Sequence, residues 1–210
     1  MLPREFYLVS GLELAPRLLG QILCSRTPEG VTKGRIVEVE AYLGPNDRGA
    51  HSYGGVPTPR TQIQYGPGGY SYVFLIYGMH SCMNVVAAGP GQPEVVLLRA
   101  LEPLEGQALM AARRNSGDLC AGPGKLCRAM GITKAWNGLD LCGDQLWLEA
   151  GEPVPPENIA LSPRVNIDYA GADAARPWRF FVKDSPFVSK VPARFAPVGT
   201  LAEKTEGFYE

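Results

Sequence analysis

The spacing of apolar and polar residues divides the chain into helical and extended stretches. Leu12, Leu14, Leu18, Leu19, Ile22 and Leu23 recur at near-helical spacing, which predicts a helix over 12–23 with Pro16 tolerated in its first turn. Pro28-Glu29-Gly30 reads as a turn. Residues 34–43 then alternate as a strand, with Val37, Val39 and Ala41 on one face and Glu38, Glu40 and Tyr42 on the other. A loop rich in Gly, Pro and Thr covers 44–69, and a loop of that length inside a compact domain is usually functional or mobile. A strand follows over 70–76, presenting Tyr70, Tyr72, Phe74 and Ile76 together, and Tyr77-Gly78-Met79 breaks the alternation as a tight turn.

Residues 81–88 and 94–101 read as two more strands around Gly89-Pro90-Gly91. A helix is predicted from Pro103 to about 114, and Gly122-Pro123-Gly124-Lys125 opens another reaching about 130. Strand-like runs recur near Val165 and over 180–182, and the polar tail after Thr200 is expected to fray. Strands clustered by short turns and flanked by helices predict an α+β class: one compact domain over 1–210 with a mostly antiparallel β-sheet.

Composition adds an ordinary core, with 45% hydrophobic and 20% charged residues. The N-terminus lacks a basic segment leading into an apolar run, and no stretch approaches a membrane span, so the expected setting is intracellular, cytoplasm or nucleoid, with no membrane partner. Cys24, Cys82, Cys120, Cys127 and Cys142 form no C-x-x-C pair, and only His51 and His80 could supplement them. Buried free thiols fit this pattern better than a metal site.

The net charge of −1 alone argues against a nucleic-acid binder. Its distribution changes that picture. Residues 48–93 contain no Asp or Glu, yet hold Arg48, Arg60, both histidines, Phe74 and five of the nine tyrosines. Acid-free, aromatic-rich sequence suits a surface that approaches phosphates and bases, although from composition alone a hydrophobic hairpin between Gly/Pro loops is the simpler account.

Glu38 and Glu40 are the first candidates for chemistry. By pattern alone, two carboxylates on one strand face are a solvated face. Tyr42 on the same face, the His51 loop that follows, and Arg99 at the end of the apolar run Val95-Val96-Leu97-Leu98 point instead to a carboxylate kept ionised and able to activate water. The pattern does not choose between the two. No G-x-S-x-G occurs, and Gly122-Pro123-Gly124-Lys125-Leu126 falls short of a P-loop, leaving a glycine-rich helix start with one lysine as a possible single-phosphate contact.

The segments RIVEVEAYLGPNDRGAHS, GGVPTPR, YVFLIYGMHSCMN, VLLRALEPLEG and GPGKLC together resemble the alkyladenine (N-methylpurine, 3-methyladenine) DNA glycosylase family over roughly residues 5–190. The resemblance implies a fold like the C-terminal domain of formyltransferases, a monomer, no cofactor, and double-stranded DNA containing damaged purines as partner. It implies a monofunctional base-excision-repair enzyme that flips the damaged base and hydrolyses its N-glycosidic bond.

Matched position by position, the resemblance makes Glu40 the general base for the water and Arg99 its partner. Tyr42, His51, Phe74, Tyr72 and Asn84 become base-pocket residues, with Asn84 screening the purine's exocyclic group. Tyr77 becomes the wedge that fills the gap in the duplex, flanked by Met79 and His80, and Lys125 with Gly124 becomes a phosphate contact. Two positions depart from the pattern: Phe74 replaces a stacking tyrosine, which keeps the aromatic face and loses the hydroxyl, and His80 stands where a tyrosine is familiar. Both bear on substrate range rather than on the reaction. A lesion-binding protein without catalysis and a nucleoside hydrolase are the alternatives. Retention of Glu40 with Arg99 argues against the first, and Tyr77 with Lys125 against the second.

Overall fold

A 14-residue strand, β2 (Gly30–Leu43), organises the sheet in the computed structural model, which describes residues 1–204. One edge of β2 pairs with β5 (Glu94–Glu105), continuing through β4 (His80–Ala87) to β3 (Ser71–Ile76). Its other edge is shared. Residues 30–35 pair with β1 (Ile22–Thr27), which also pairs with β6 (Leu146–Glu149), and residues 38–40 pair with β8 (Arg179–Val182). Beyond β8 lie β7 (Ile159–Ser162) and β9 (Gly199–Thr200). All of these pairings are antiparallel, and with α1 (Gly11–Leu18), α2 (Gln107–Arg114) and α3 (Pro123–Met130) they make an α+β fold.

The predicted first helix is real but shorter. Ser10 caps it, its Oγ accepting from the Glu13 N–H at 3.2 Å and donating to Glu13 Oε2 at 3.4 Å. The helix stops at Leu18, so Pro16 lies in its second turn rather than its first. Gly20 then adopts a left-handed φ of 88°, and a Cβ there would sit 2.0 Å from the Glu152 carbonyl oxygen. Ile22 and Leu23, which continue the apolar spacing, belong to β1 instead. Hydrogen bonding to β2 and β6, distant in sequence, overrides the local period.

Pro103 likewise does not start a helix. It pairs with Gly34 where the β2–β5 register shifts, the kind of irregularity that tolerates a residue without an N–H. The strand runs on to Glu105, Gly106 turns the chain at φ 73°, and α2 begins at Gln107. Val165 is not extended sheet; the strand of that region is β7, and Val165 lies in the loop after it. Of the tail, Ala202–Lys204 form a 3-10 turn, and 205–210 lie outside the described residues.

The two faces of the central sheet are chemically distinct, as the alternation predicted over 38–42; Val37 is buried but, at the β2–β5 register shift, leaves its place in the main core to Ile36. Val39, Ala41, Val73, Met83, Val85, Val96 and Leu98 join Leu14 and Leu18 of α1 and Leu126 and Met130 of α3 in the main core. The opposite face carries Glu38, Glu40, Tyr42, Tyr72, Phe74 and Asn84, beneath loops rather than helices. Four cysteines are buried and Cys142 is partly so, all as free thiols. Among the described residues no helix is long and apolar enough to cross a membrane.

Candidate active site

The polar face of the sheet forms the floor of a cavity of about 640 Å³. Strand β2 contributes Glu40 and Tyr42, β3 contributes Tyr72 and Phe74, β4 contributes Asn84, and β5 contributes Arg99. The 44–69 loop adds His51 and Arg60 to the wall, and the loop after β7 adds Val165 and Tyr169. Residues from four strands meet because antiparallel neighbours bring every second side chain to the same face.

Glu38 and Glu40 are both fully buried, which rules out a solvated strand face. Glu40 Oε1 accepts from the Val165 N–H at 2.7 Å and lies 3.2 Å from Arg99 Nη1, while Oε2 accepts from the Tyr42 hydroxyl at 2.8 Å. Burial, then the neighbouring Glu40 charge, push the Tyr42 phenol well above its usual range, so it remains a donor. Glu38 is the more heavily bonded carboxylate. Its Oε1 accepts from Arg99 Nε at 2.7 Å, Arg179 Nε at 2.8 Å and Ser189 Oγ at 2.8 Å, and Oε2 accepts the Ser189 N–H at 2.7 Å. Burial works against its charge most strongly, but Arg99, Arg179 and these hydrogen bonds together hold its pKa below the ordinary carboxylate value.

The aromatic wall has its own order. Arg60 Nη2 lies 3.1 Å from His51 Nε2, and His51 Nδ1 lies 2.9 Å from the Tyr72 hydroxyl. A guanidinium only donates, so Nε2 is the acceptor and the Nδ1–H faces Tyr72. Although the ring opens on the cavity, the protein crowding it, followed by the Arg60 charge, pushes the His51 pKa down to about 4, consistent with a neutral imidazole. The Phe74 ring meets His51 edge-on at 4.6 Å, with Arg60 above its face at 5.2 Å. Asn84 is buried, and its Nδ2 donates to the Tyr72 carbonyl at 3.0 Å.

The predicted tight turn joins β3 to β4 at the cavity rim. The Met79 N–H donates to the Ile76 carbonyl at 3.2 Å, and Tyr77 and Gly78 have φ of 52° and 70°. Left-handed backbone is unusual for a bulky residue, and the Tyr77 ring is 82% exposed at the tip, with Met79 71% exposed. His80 packs against Gly124, where a Cβ would lie 3.3 Å from that of His80, so the turn rests on the start of α3. Lys125 does not join the cavity. It pairs with Asp118 at 2.5 Å and lines a second hollow beyond α3.

Several residues here carry no local sequence signal. Arg164 and Asp47 form a fully buried ion pair whose guanidinium packs 4.6 Å from the Tyr42 ring centroid. Ser189 and Arg179 reach Glu38 from far along the chain. Only Arg60, inside the acid-free segment, could have been singled out by composition.

The methylpurine-DNA glycosylase (MPG) family matches this chain over residues 5–186. A Bacillus cereus (strain G9842) protein named "Putative 3-methyladenine DNA glycosylase" is 48% identical over 204 residues, covering 90% of this chain and 98% of its own. Proteins of the same name from Methanocella arvoryzae and Desulfitobacterium hafniense (strain Y51) are each 47% identical, over 195 and 199 residues, covering 90% of this chain and 96% and 98% of theirs.

Proposed function

The chain belongs to the methylpurine-DNA glycosylase family, and from that membership we propose that it flips damaged purines into the cavity and hydrolyses their glycosidic bond with a water activated by Glu40. It is a hydrolase of N-glycosyl bonds, a DNA glycosylase. What supports the finer reading is the state of Glu40: a fully buried carboxylate on the cavity floor, held by Arg99, Tyr42 and the Val165 N–H.

A carboxylate has four acceptor positions. One on each oxygen is filled by a hydrogen bond, Arg99 Nη1 lies 3.2 Å from Oε1 as an ion pair, and the remaining position on Oε2 suits a water donating its proton. Arg99 commits Nε to Glu38 and Nη1 to Glu40, which leaves N–H groups to orient the oxygen of that water. The water attacks the anomeric carbon as the purine departs, and the Glu40 charge stabilises the oxocarbenium character that develops. An alkylated, cationic purine leaves without further protonation, so one carboxylate suffices. Tyr42 and Phe74 offer faces for stacking, worth about 1–3 kcal/mol per base, against an extrusion cost of a few kcal/mol. Tyr77, exposed on its strained turn, fills the vacated place in the duplex, and Asn84 meets the purine's exocyclic edge. We place Lys125 and Gly124 on the phosphate backbone. A monomer working at the nucleoid on double-stranded DNA completes the reading.

The test is base release from duplexes carrying hypoxanthine or ethenoadenine, read by alkaline cleavage at abasic sites. Glu40→Gln should lower single-turnover release by about 10²–10⁴-fold while lesion binding persists, and unchanged turnover would refute the assignment. No lysine lines the cavity among the described residues, in keeping with a monofunctional enzyme. A borohydride-trapped protein–DNA adduct in high yield would sink that part.

A further inference from the structure

Two carboxylates two residues apart on one strand face repel each other when buried. Glu38 and Glu40 nevertheless are both fully shielded, because Arg99 lies between them and Arg179 adds a second positive charge beside Glu38. The cluster is balanced, two negative groups against two positive. Its geometry is not symmetric, however. Arg99 points Nε at Glu38 at 2.7 Å, Nη2 makes a longer contact of 3.5 Å to Ser189 Oγ, and Nη1 alone reaches Glu40, at 3.2 Å. Glu38 in turn is anchored from outside β2 by Arg179 Nε and by both the N–H and the hydroxyl of Ser189.

A free guanidinium beside a single carboxylate prefers the two-pronged pairing, with parallel N–H···O bonds to both oxygens. On Glu40 that pairing would fill the one acceptor position left open on Oε2. It would also stabilise the carboxylate and make it a weaker base. Glu38 prevents this by occupying the Nε side of Arg99. The carboxylate that pattern alone could not separate from Glu40 therefore has a task of its own.

We propose that Glu38 is a positioning residue for the glycosidic step: anchored by Arg179 and Ser189, it holds Arg99 side-on, so that Glu40 keeps an open position for the water. The inference rests on the reading of Glu40 as general base and Arg99 as its partner. The charged and titratable groups facing the cluster are Glu40 and Tyr42 on β2, Arg99 on β5, Cys82 on β4, Arg179 on β8, and Arg164 and Tyr169 from the segment after β7. Ser189 adds no charge.

The experiment measures single-turnover excision across pH on a duplex containing 7-methylguanine, whose departure needs no protonation. Lesion-duplex Kd and thermal melting are recorded alongside, for Glu38→Gln, Ser189→Ala and Glu40→Gln. Glu38→Gln should slow excision on the order of 10²-fold, the effect of a misplaced catalytic group, with Kd within about twofold of wild type. Its acid limb should move to lower pH, because losing the Glu38 charge and gaining a second Arg99 contact both favour ionised Glu40. Ser189→Ala, which removes one donor to Glu38 and the long contact to Arg99 Nη2, should shift rate and limb in the same directions by a few-fold.

A folded Glu38→Gln protein with wild-type rate and an unmoved acid limb overturns the proposal, as does a rate loss matched by weakened lesion binding and no change in the limb. If Glu38→Gln does not fold, wild-type rate and pH profile in Ser189→Ala overturn it. Full excision by Glu40→Gln would instead sink the underlying reading. An inactive Glu40→Gln beside an unaffected Glu38→Gln sinks only this one.

Discussion

Asp47→Asn is a change of one atom that should destabilise the whole domain. The side chains of Asp47 and Arg164 are both fully shielded, and each Asp47 oxygen is doubly used. Oδ1 accepts from the Gly49 N–H and Arg164 Nη2, each at 2.8 Å, and Oδ2 accepts from the Leu43 N–H at 3.1 Å and Arg164 Nη1 at 2.5 Å. An asparagine NH₂ in either place meets two donors where there were two hydrogen bonds, and the Arg164 charge loses its counter-ion in a buried site. Breaking a buried pair from one side costs about 3–5 kcal/mol, a large part of a domain's 5–15 or so.

For a chain of this size, that corresponds to a Tm lowered by roughly 10 °C, at about 2–4 °C per kcal/mol. Thermal or urea unfolding followed by circular dichroism measures it, with Asp168→Asn as the control. Asp168 pairs with Arg194 at 3.2 Å with side chains 71% and 58% exposed, and such a pair contributes less than about 1 kcal/mol. Adding Arg164→Met to Asp47→Asn removes the stranded charge and should recover part of the loss. A midpoint for Asp47→Asn within about 2 °C of wild type would refute the assignment of this pair as an energetic anchor of the 44–53 loop. The consequence reaches the site, because Arg164 also packs on the Tyr42 ring.

Two further outcomes follow from the cavity rim and wall. Tyr77→Gly should leave the melting temperature equal or higher, since a side chain at φ 52° costs about 1 kcal/mol that glycine avoids, while lesion-duplex affinity falls; a matched fall in both would mean the ring is structural. His51 should titrate near pH 4 in a ring-proton NMR titration, with His51→Gln used for assignment, and Arg60→Ala should raise that value; titration near pH 6.5 in the wild type would contradict the Arg60–His51–Tyr72 arrangement. The sign for stability is set by the depressed pKa. Between about 6.5 and 4 the unfolded chain binds a proton that the folded protein does not, so the His51 contribution weakens as pH falls through that window.

Much of the fold was legible because the sheet's two faces differ in chemistry. Alternation in β2, β3 and β4 separated Val39, Val73 and Met83 from Glu40, Tyr72 and Asn84, and the acid-free segment marked the loop and the hairpin that build much of the cavity wall. The family resemblance then put forward Glu40 rather than Glu38 as the expected base. What misled the local reading was pairing between segments distant in sequence. Ile22 and Leu23 continue a helical spacing, yet hydrogen bonds to β2 and β6 make them a strand. Pro103 looks like a helix start until Gly34 opposes it across a register shift.

Side-chain periodicity determined which residues share a face wherever the pairing is regular; at the β2–β5 register shift it failed, and Ile36 takes the core place expected of Val37. The tertiary structure decided what those residues meet. Glu38 and Glu40 read as a solvated pair until Arg99, Arg179, Ser189 and Val165, brought in from other strands and loops, enclose them. A buried carboxylate is stable only with partners, and apart from Arg99, which its apolar strand singled out, Val165, Arg179 and Ser189 lie 125 to 151 residues away, where no local pattern names them.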